Sequence, residues 1–498
     1  MSSHHRQIFK SSIIVGGSSA IGMALSVLKV KVLALLLGPA GVGLMGIYQN
    51  IMNLVATFVN CGMRMSSIRH IAADENPTHR ILVRRALWWF NLTFGAIGML
   101  VMWIVRKPLA QWIFGHTHYA TDIGFVGIGV FFILISSSQT AILQGYLRIA
   151  DLARINIISA LGGTLFGILI PYFFGHAGII YFVIVAPFWG TLAGIYYFRR
   201  LPMAKEVKTS RAELFTQIRN LMRLGIPFMV SNLGTVGTQF LARWIVLRTI
   251  DIKAAGHFQA SWQISTVYIG LILQSISMDY YPRVSAAFTK SYPKAHELIH
   301  HQMEMALWMS APLLVGMIGF SPWLIWALYS HQFTPAIPLL AWQSLGNLFK
   351  IFCWPMTYSF LASNRGVWFF LIEMSWNLIF LAILYWGLDI WGLTAAGIAF
   401  FLAYVCYWLL LLIITSKIIA YRPSWYVLKL LGIYLFAAGS SLILFVTFPI
   451  LGMICSALFT LAFGIHSLRN IDRAVGLRVW IAKKLGKKTT GSIPSQKS

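Results

Sequence analysis

Apolar runs long enough to cross a lipid bilayer recur along almost the whole chain, and no other feature restricts the fold as much. A helix rises 1.5 Å per residue, so about 20 mostly apolar residues cross a hydrocarbon core of about 30 Å. Fourteen such runs can be counted, near 11–37, 43–63, 82–105, 121–147, 155–174, 177–198, 224–247, 255–282, 303–328, 335–362, 367–387, 391–415, 427–447 and 449–467. Lipid offers the backbone no hydrogen-bond partner, so runs of this length must be helical. The expected fold is an all-α polytopic membrane protein of about 14 transmembrane helices. Composition agrees, with 58% hydrophobic and 10% charged residues, against roughly 25% charged in a soluble domain.

The basic residues orient these spans. Lysine and arginine in short loops stay on the cytoplasmic side. With the N-terminus inside, 31 of the 39 fall in cytoplasmic segments, and only Arg106, Lys107, Arg248 and Lys253 lie outside. The other four, Lys29, Lys31, Arg243 and Lys350, sit within spans. Both termini are therefore expected in the cytoplasm. Short connections at 38–43, 174–178 and 387–392 make neighbouring spans antiparallel. The longest inside loop contains RAELFTQIRNLMR, where Leu214, Phe215, Ile218, Leu221 and Met222 oppose Arg211, Gln217, Arg219 and Arg223. That pattern predicts an amphipathic interfacial helix between two pseudo-symmetric six-helix lobes. The expected division is a first lobe at 1–198, a linker at 199–223, a second lobe at 224–418, an extra hairpin at 419–467 and a basic tail at 468–498. The tail suits anionic membrane lipids.

A formal charge of +26 would suit nucleic acid if it formed a patch. It is scattered through short loops instead, so no nucleic-acid partner is expected. Cys61, Cys353, Cys406 and Cys455 lie in apolar stretches without C-x-x-C spacing, which predicts packing residues and no metal site. The basic N-terminus leads into an apolar run with no A-x-A-like site, so an uncleaved first helix is expected. Catalytic motifs and nucleotide loops are absent from the sequence, and neither an enzyme nor a cofactor is expected.

Polar residues within the spans recur on single helix faces. Span two carries Gln49, Asn53, Thr57, Asn60 and Arg64; span one carries Ser18, Gly22, Ser26 and Lys29. Span seven offers Asn232, Thr235, Gln239 and Arg243, span eight Gln259, Gln263, Thr266, Gly270, Gln274 and Ser277, and span ten Gln343, Asn347 and Lys350. Such stripes either glue helices together, at about 0.6 kcal/mol per bond, or face a wet cavity. Lys29 and Lys31 are two apart and point about 200° from each other, so Lys29 is assigned inward and Lys31 to the interface. Nearly all of the thirteen acids sit in loops or at span ends, leaving Glu373 in span eleven, Asp279 near the inner end of span eight and Asp122 at the outer edge of span four. A cavity lined this way is cationic, and lysine and arginine suit phosphate. Spans one and two also resemble seven and eight, with Gly43 matched to Gly256, as in transporters built from repeats.

The stretch LGPAGVGLMGIYQNIMNLVATFVNCGM (37–63) and the basic loop RMSSIRHIAADENP (64–77) resemble the first hairpin of Wzx-type polysaccharide flippases of the multidrug/oligosaccharidyl-lipid/polysaccharide (MOP) superfamily. The resemblance implies two six-helix lobes that rock about a central cavity. It implies transfer of undecaprenyl-diphosphate-linked oligosaccharide from the inner to the outer leaflet of a bacterial inner membrane, for exopolysaccharide or O-antigen assembly. It also implies polysaccharide polymerase and chain-length machinery as partners. Cations in the cavity of such proteins engage diphosphate and sugar; Lys29, Arg64, Arg243 and Lys350 correspond, with Gln49, Asn53, Asn60, Gln239, Gln263, Gln343 and Asn347 as amide contacts. Trp262, Tyr268, Trp342 and Trp354 are aromatic faces for sugar rings, and Glu373 and Asp279 are the carboxylates available for ion coupling. A drug/cation antiporter of the same superfamily would want an acidic cavity. A membrane-embedded polymerase or glycosyltransferase would want a larger outside loop with carboxylates, and loop 106–120 has none.

Overall fold

The computed structural model describes residues 3–73, 76–201 and 210–475, and all regular structure among them is helical. The first helix, α1 (Ser3–Asn60), bends at Gly38, whose φ of 61° and ψ of −165° are not helical. Glycine takes that conformation without a Cβ clash, and Pro39 both disfavours a helical residue before it and starts a helix well. The expected turn at 38–43 is thus a single residue long. Cys61 and Gly62, with φ of 49° and 68°, reverse the chain into α2 (Met63–Ala73).

The helix α3 (Pro77–Ile104) starts on Asn76, whose side chain accepts a hydrogen bond from the Thr78 amide. The short α4 (Arg106–Phe114) leads to α5 (Ala120–Gly145). A 3-10 turn at Gly175–Gly178 joins α6 (Ile149–Phe174) to α7 (Ile179–Arg199). Then follow α8 (Arg211–Thr249), α9 (Ile252–Lys290), α10 (Tyr292–Gly319), α11 (Ser321–Leu328) and α12 (Ile337–Ala362). The last four are α13 (Gly366–Trp391), α14 (Ala395–Ile418), α15 (Trp425–Thr447) and α16 (Pro449–Val475).

By length and composition, 7 helical segments among the described residues can cross a membrane. The count is 8 if α10 and α11, bent by 82° at their junction, form one broken span.

The chain forms two compact units. The first comprises Met1–Ala260, Ile325–Ala336 and Leu384–Ala395; the second comprises Ser261–Leu324, Ile337–Ile383 and Ala396–Ser498. A core of the first unit gathers Met63, Ile71, Val83, Leu87, Phe90, Ile142, Ile155 and Leu221, all at most 1% exposed. In the second unit α16 lies on α10, where Ser456 Oγ donates to the Val315 carbonyl at 2.6 Å and Thr460 Oγ1 to that of Pro312 at 3.4 Å.

The amphipathic stretch 211–223 runs without a break into the rest of α8. Its start is fixed by a capping box, with Ser210 accepting from the Ala212 amide and Glu213 from the Ser210 amide. Leu221 is buried, and Leu214, Ile218 and Met222 pack on the same core. Two residues depart from the expected faces: Phe215 is 71% exposed, and Gln217 is buried at 5%. Position 217 lies between 214 and 221 on the helix surface, so core contact at those two leucines carries Gln217 inward. Residues 202–209 of the expected linker and 476–498 of the expected tail lie outside the described residues.

Candidate functional site

In the first unit the second half of α1 packs antiparallel to α8 and meets the start of α9. The approach is closest at two pairs of glycines. A methyl group on Gly43 would stand 2.3 Å from the Ile252 carbonyl oxygen and 2.9 Å from the Gly256 nitrogen; one on Gly256 would stand 1.9 Å from the Pro39 carbonyl oxygen. One on Gly62 would stand 1.9 Å from the Gly225 carbonyl oxygen. Backbone touches backbone at both places. Along α1 the two contacts are separated by about 28 Å of helix, close to the hydrocarbon thickness.

Between them lies a chamber of about 600 Å³ formed by α1, α2, α5 and α8. Asn53, Thr57, Asn60 and Arg64 line one wall, Ser137 and Gln144 a second, and Ser231, Asn232 and Thr235 a third. The stripe predicted for span two therefore faces a cavity, and so does the stripe predicted for the start of span seven. Asn60 is tied down, its Nδ2 donating to Asn91 Oδ1 at 3.2 Å and its Oδ1 accepting from the Arg64 amide at 3.2 Å. Asn91 in turn donates to Ser138 Oγ at 2.6 Å. Asn53, Thr57, Asn232 and Thr235 have uncommitted side chains among the described residues. Arg64 supplies the charge, and no carboxylate lines this chamber among the described residues. Partial desolvation lowers the Arg64 pKa, but a guanidinium stays protonated at neutral pH.

Arg243 lies elsewhere in the first unit, buried at 4% exposure. Its Nε donates to Gln259 Oε1 at 2.5 Å, and its Nη1 donates to Asn50 Oδ1 at 3.1 Å and to the Gln239 carbonyl at 2.9 Å. The Phe258 ring lies 5.8 Å away. This guanidinium ties α8 to α1 and α9. Gln49 and Gln239 are part-buried and are not among the chamber's lining side chains.

Lys29 and Lys31 part as their spacing requires. The Lys31 ammonium donates to the Trp326 carbonyl at 2.8 Å. Lys29 enters a separate pocket of about 180 Å³ between α1, α6 and α7, its Nζ 4.9 Å from the Phe182 ring centre. Arg64, Arg243 and Lys29, expected to share one cavity, thus occupy three places within the first unit.

In the second unit Lys350 and Glu373 line one cavity of about 220 Å³ with Trp354, Tyr358, Trp376, Tyr404 and Tyr407. Tyr407 donates to Glu373 Oε1 at 3.0 Å and is bonded to Thr357 at 2.7 Å. Gln343 and Asn347 are fully buried and act between helices, donating to Ser261 at 3.4 Å and Ser265 at 2.7 Å. Gln263 is part-buried on α9. Trp262 packs against Phe380 and Phe400, and Trp342 against Phe401. The side chains of Asp279, Tyr268, Gln274 and Ser277 lie outside those described.

Sequence reasoning missed Asn50, Asn91, Ser137, Ser138 and Gln144. The run SSSQT at 136–140 was the available signal for the α5 wall, since five adjacent hydroxyl and amide residues inside a span need partners or water.

A family model described as polysaccharide biosynthesis protein matches residues 32–338. The Lipid III flippase of Escherichia coli strain K12 is 22% identical over 411 residues, which cover 80% of this chain and 95% of the relative. Among solved structures, the lipid II flippase MurJ in an inward closed conformation aligns with a TM-score of 0.71 at 15% identity, over 92% of this chain and all of that one. An inward-facing multidrug resistance MATE transporter of the MOP superfamily aligns with a TM-score of 0.67 at 15% identity, over 80% and 94% of the two chains. The fold is the multi-pass helical architecture that these two structures share. The chain belongs to the polysaccharide biosynthesis protein family, whose model spans more than half of it.

Proposed function

We propose that the protein moves an undecaprenyl-diphosphate-linked oligosaccharide from the inner to the outer leaflet, for exopolysaccharide or O-antigen assembly. One observation carries the reading. The chamber beside α1 offers uncommitted amides and hydroxyls together with a guanidinium and, among the described residues lining it, no acid. Sugar hydroxyls need the first set of groups, and a diphosphate needs the second. The same polarity disfavours a cation antiporter, whose site would attract positive charge.

Fourteen crossings, cytoplasmic termini, lobes at 1–198 and 224–418 and an added hairpin at 419–467 complete the proposal. Three of the apolar segments support that count, at 40, 51 and 53 residues, about twice the length one crossing needs. Each is interrupted at a glycine of positive φ, Gly38, Gly175 or Gly392. Transport proceeds by alternating access, with the prenyl chain remaining in lipid. Glu373, which shares its cavity with Lys350, is the carboxylate assigned to ion coupling, with Asp279 as the second candidate. Anionic lipids and the polymerase and chain-length machinery are the partners on this reading.

The test is a leaflet-accessibility assay in proteoliposomes loaded with an undecaprenyl-diphosphate-linked trisaccharide, read by an impermeant glycosidase. Arg64→Ala should slow exposure of the sugar at least tenfold and Arg64→Lys by less. Equal rates in all three proteins would remove the chamber from the transport path.

A further inference from the structure

The pocket around Lys29 is separate from the chamber, and its chemistry is incomplete. Gly22, Ser26, Asn156, Ser159, Gly163 and Thr164 supply small or polar walls, and no carboxylate lines it among the described residues. The Lys29 ammonium has a ring face 4.9 Å away and no hydrogen-bond acceptor among the described residues. Lys29 is part-buried, and a cation–π contact of about 0.5–2 kcal/mol offsets only part of what its ammonium loses in hydration, a cost that reaches several kcal/mol when withdrawal from water is complete. A counter-charge is missing. The neighbouring groups show which ligand would fit. Ser159 already donates to the Ala186 carbonyl at 2.9 Å, and Thr164 to that of Leu25 at 3.4 Å. The donors left are the Lys29 ammonium, the Ser26 hydroxyl and the Asn156 amide. One positive charge and two neutral donors balance a single negative charge and leave a doubly charged phosphate undercompensated.

We propose that this pocket is a binding site for a small monovalent inorganic anion, chloride in the cell, seated against Lys29 between α1, α6 and α7. The proposal is independent of what the protein carries, so its failure leaves the flippase reading untouched. In dodecyl maltoside, the full chain is melted by tryptophan fluorescence as sodium gluconate is replaced by sodium chloride at constant ionic strength and pH. Wild type should show a saturable rise in Tm of about 2 °C. Lys29→Met should lose the dependence; Asn156→Leu, on the exposed rim, should weaken it without loss of folding. Bromide should give an anomalous peak in the pocket. No chloride dependence in the wild type, or an undiminished one in both variants, overturns the site. A rise with inorganic phosphate or with phosphatidylglycerol while chloride is inert overturns its assignment to a monovalent anion.

Discussion

The contact between Gly256 and α1 can be broken with one methyl group. In Gly256→Ala the new Cβ would lie 1.9 Å from the Pro39 carbonyl oxygen. A carbon approaches such an oxygen to about 3.3 Å, so α1 and α9 must separate by about 1.4 Å. No side chain can absorb this, because the obstacle is backbone on both sides. Overpacking of this kind costs about 1–3 kcal/mol, and each 1.4 kcal/mol is about tenfold in an equilibrium. The state in which these helices touch should therefore lose about 5- to 150-fold in population relative to one in which they are apart. On the proposed topology this contact closes the outer side of the chamber. Asn53→Cys, in a background lacking Cys61, Cys353, Cys406 and Cys455, reports on access to the chamber. An impermeant maleimide added from the periplasmic face should label it at least fivefold faster when Gly256→Ala is present, and Tm should fall. Gly62→Ala, whose methyl would meet the Gly225 carbonyl oxygen at 1.9 Å, should favour labelling from the cytoplasmic face. Unchanged labelling and unchanged Tm in Gly256→Ala would refute the idea that this contact holds a gate.

Three further changes probe the rest of the site. Arg243→Ala removes the donor to Asn50 and Gln259; a buried amide oxygen left unpaired at Asn50 costs about 1–3 kcal/mol, so stability should fall by about 2 kcal/mol in a urea or thermal melt. Lys350→Met and Glu373→Gln should each destabilise more than half as much as the double variant does, with an interaction energy of about 1–3 kcal/mol; strict additivity would show that the two charges do not sense each other. Ser456→Ala with Thr460→Val cuts the three hydrogen bonds these side chains make between α16 and α10, at about 0.6 kcal/mol each in membrane, and should speed tryptic cleavage at Lys417 and Arg422 without changing the cleavage pattern elsewhere.

What was legible in the sequence follows the range of the interaction behind it. The bend before Pro39 and the stripe Asn53–Thr57–Asn60–Arg64 depend on neighbours within one or two turns, and the structure has both. Partners across helices depend on register between segments far apart in the chain. Arg243 was read as a cavity cation because its own helix carries a polar stripe; its guanidinium instead meets Asn50, 193 residues away. Nothing local distinguishes Asn50 from Gln49, although one is buried against a charge and the other is only part-buried. Gln343 and Asn347 likewise look like cavity amides until Ser261 and Ser265, 82 residues away in each case, are seen to accept from them.

The glycines show how a long-range contact can still leave a local trace. Gly43 and Gly256 were equated only because each opens the second helix of a similar hairpin, a comparison of one half of the chain with the other. They turn out to be in contact, the Gly43 nitrogen standing 3.1 Å from a Cβ built on Gly256. If the halves form a two-fold repeat as proposed, equivalent positions touch only at the axis that relates them, and there no side chain fits between them. Glycine is required at both members for the same steric reason, which is why a weak internal match selected this pair. Gly62 and Gly225 have the same mutual contact near the other end of the span, although no motif drew attention to them. If an axis of this kind passes through the first contact, a single substitution at either glycine should have the same effect. Gly43→Ala, whose methyl meets the Ile252 carbonyl at 2.3 Å, should therefore reproduce the labelling change of Gly256→Ala, and a normal gate in Gly43→Ala alone would separate the two positions.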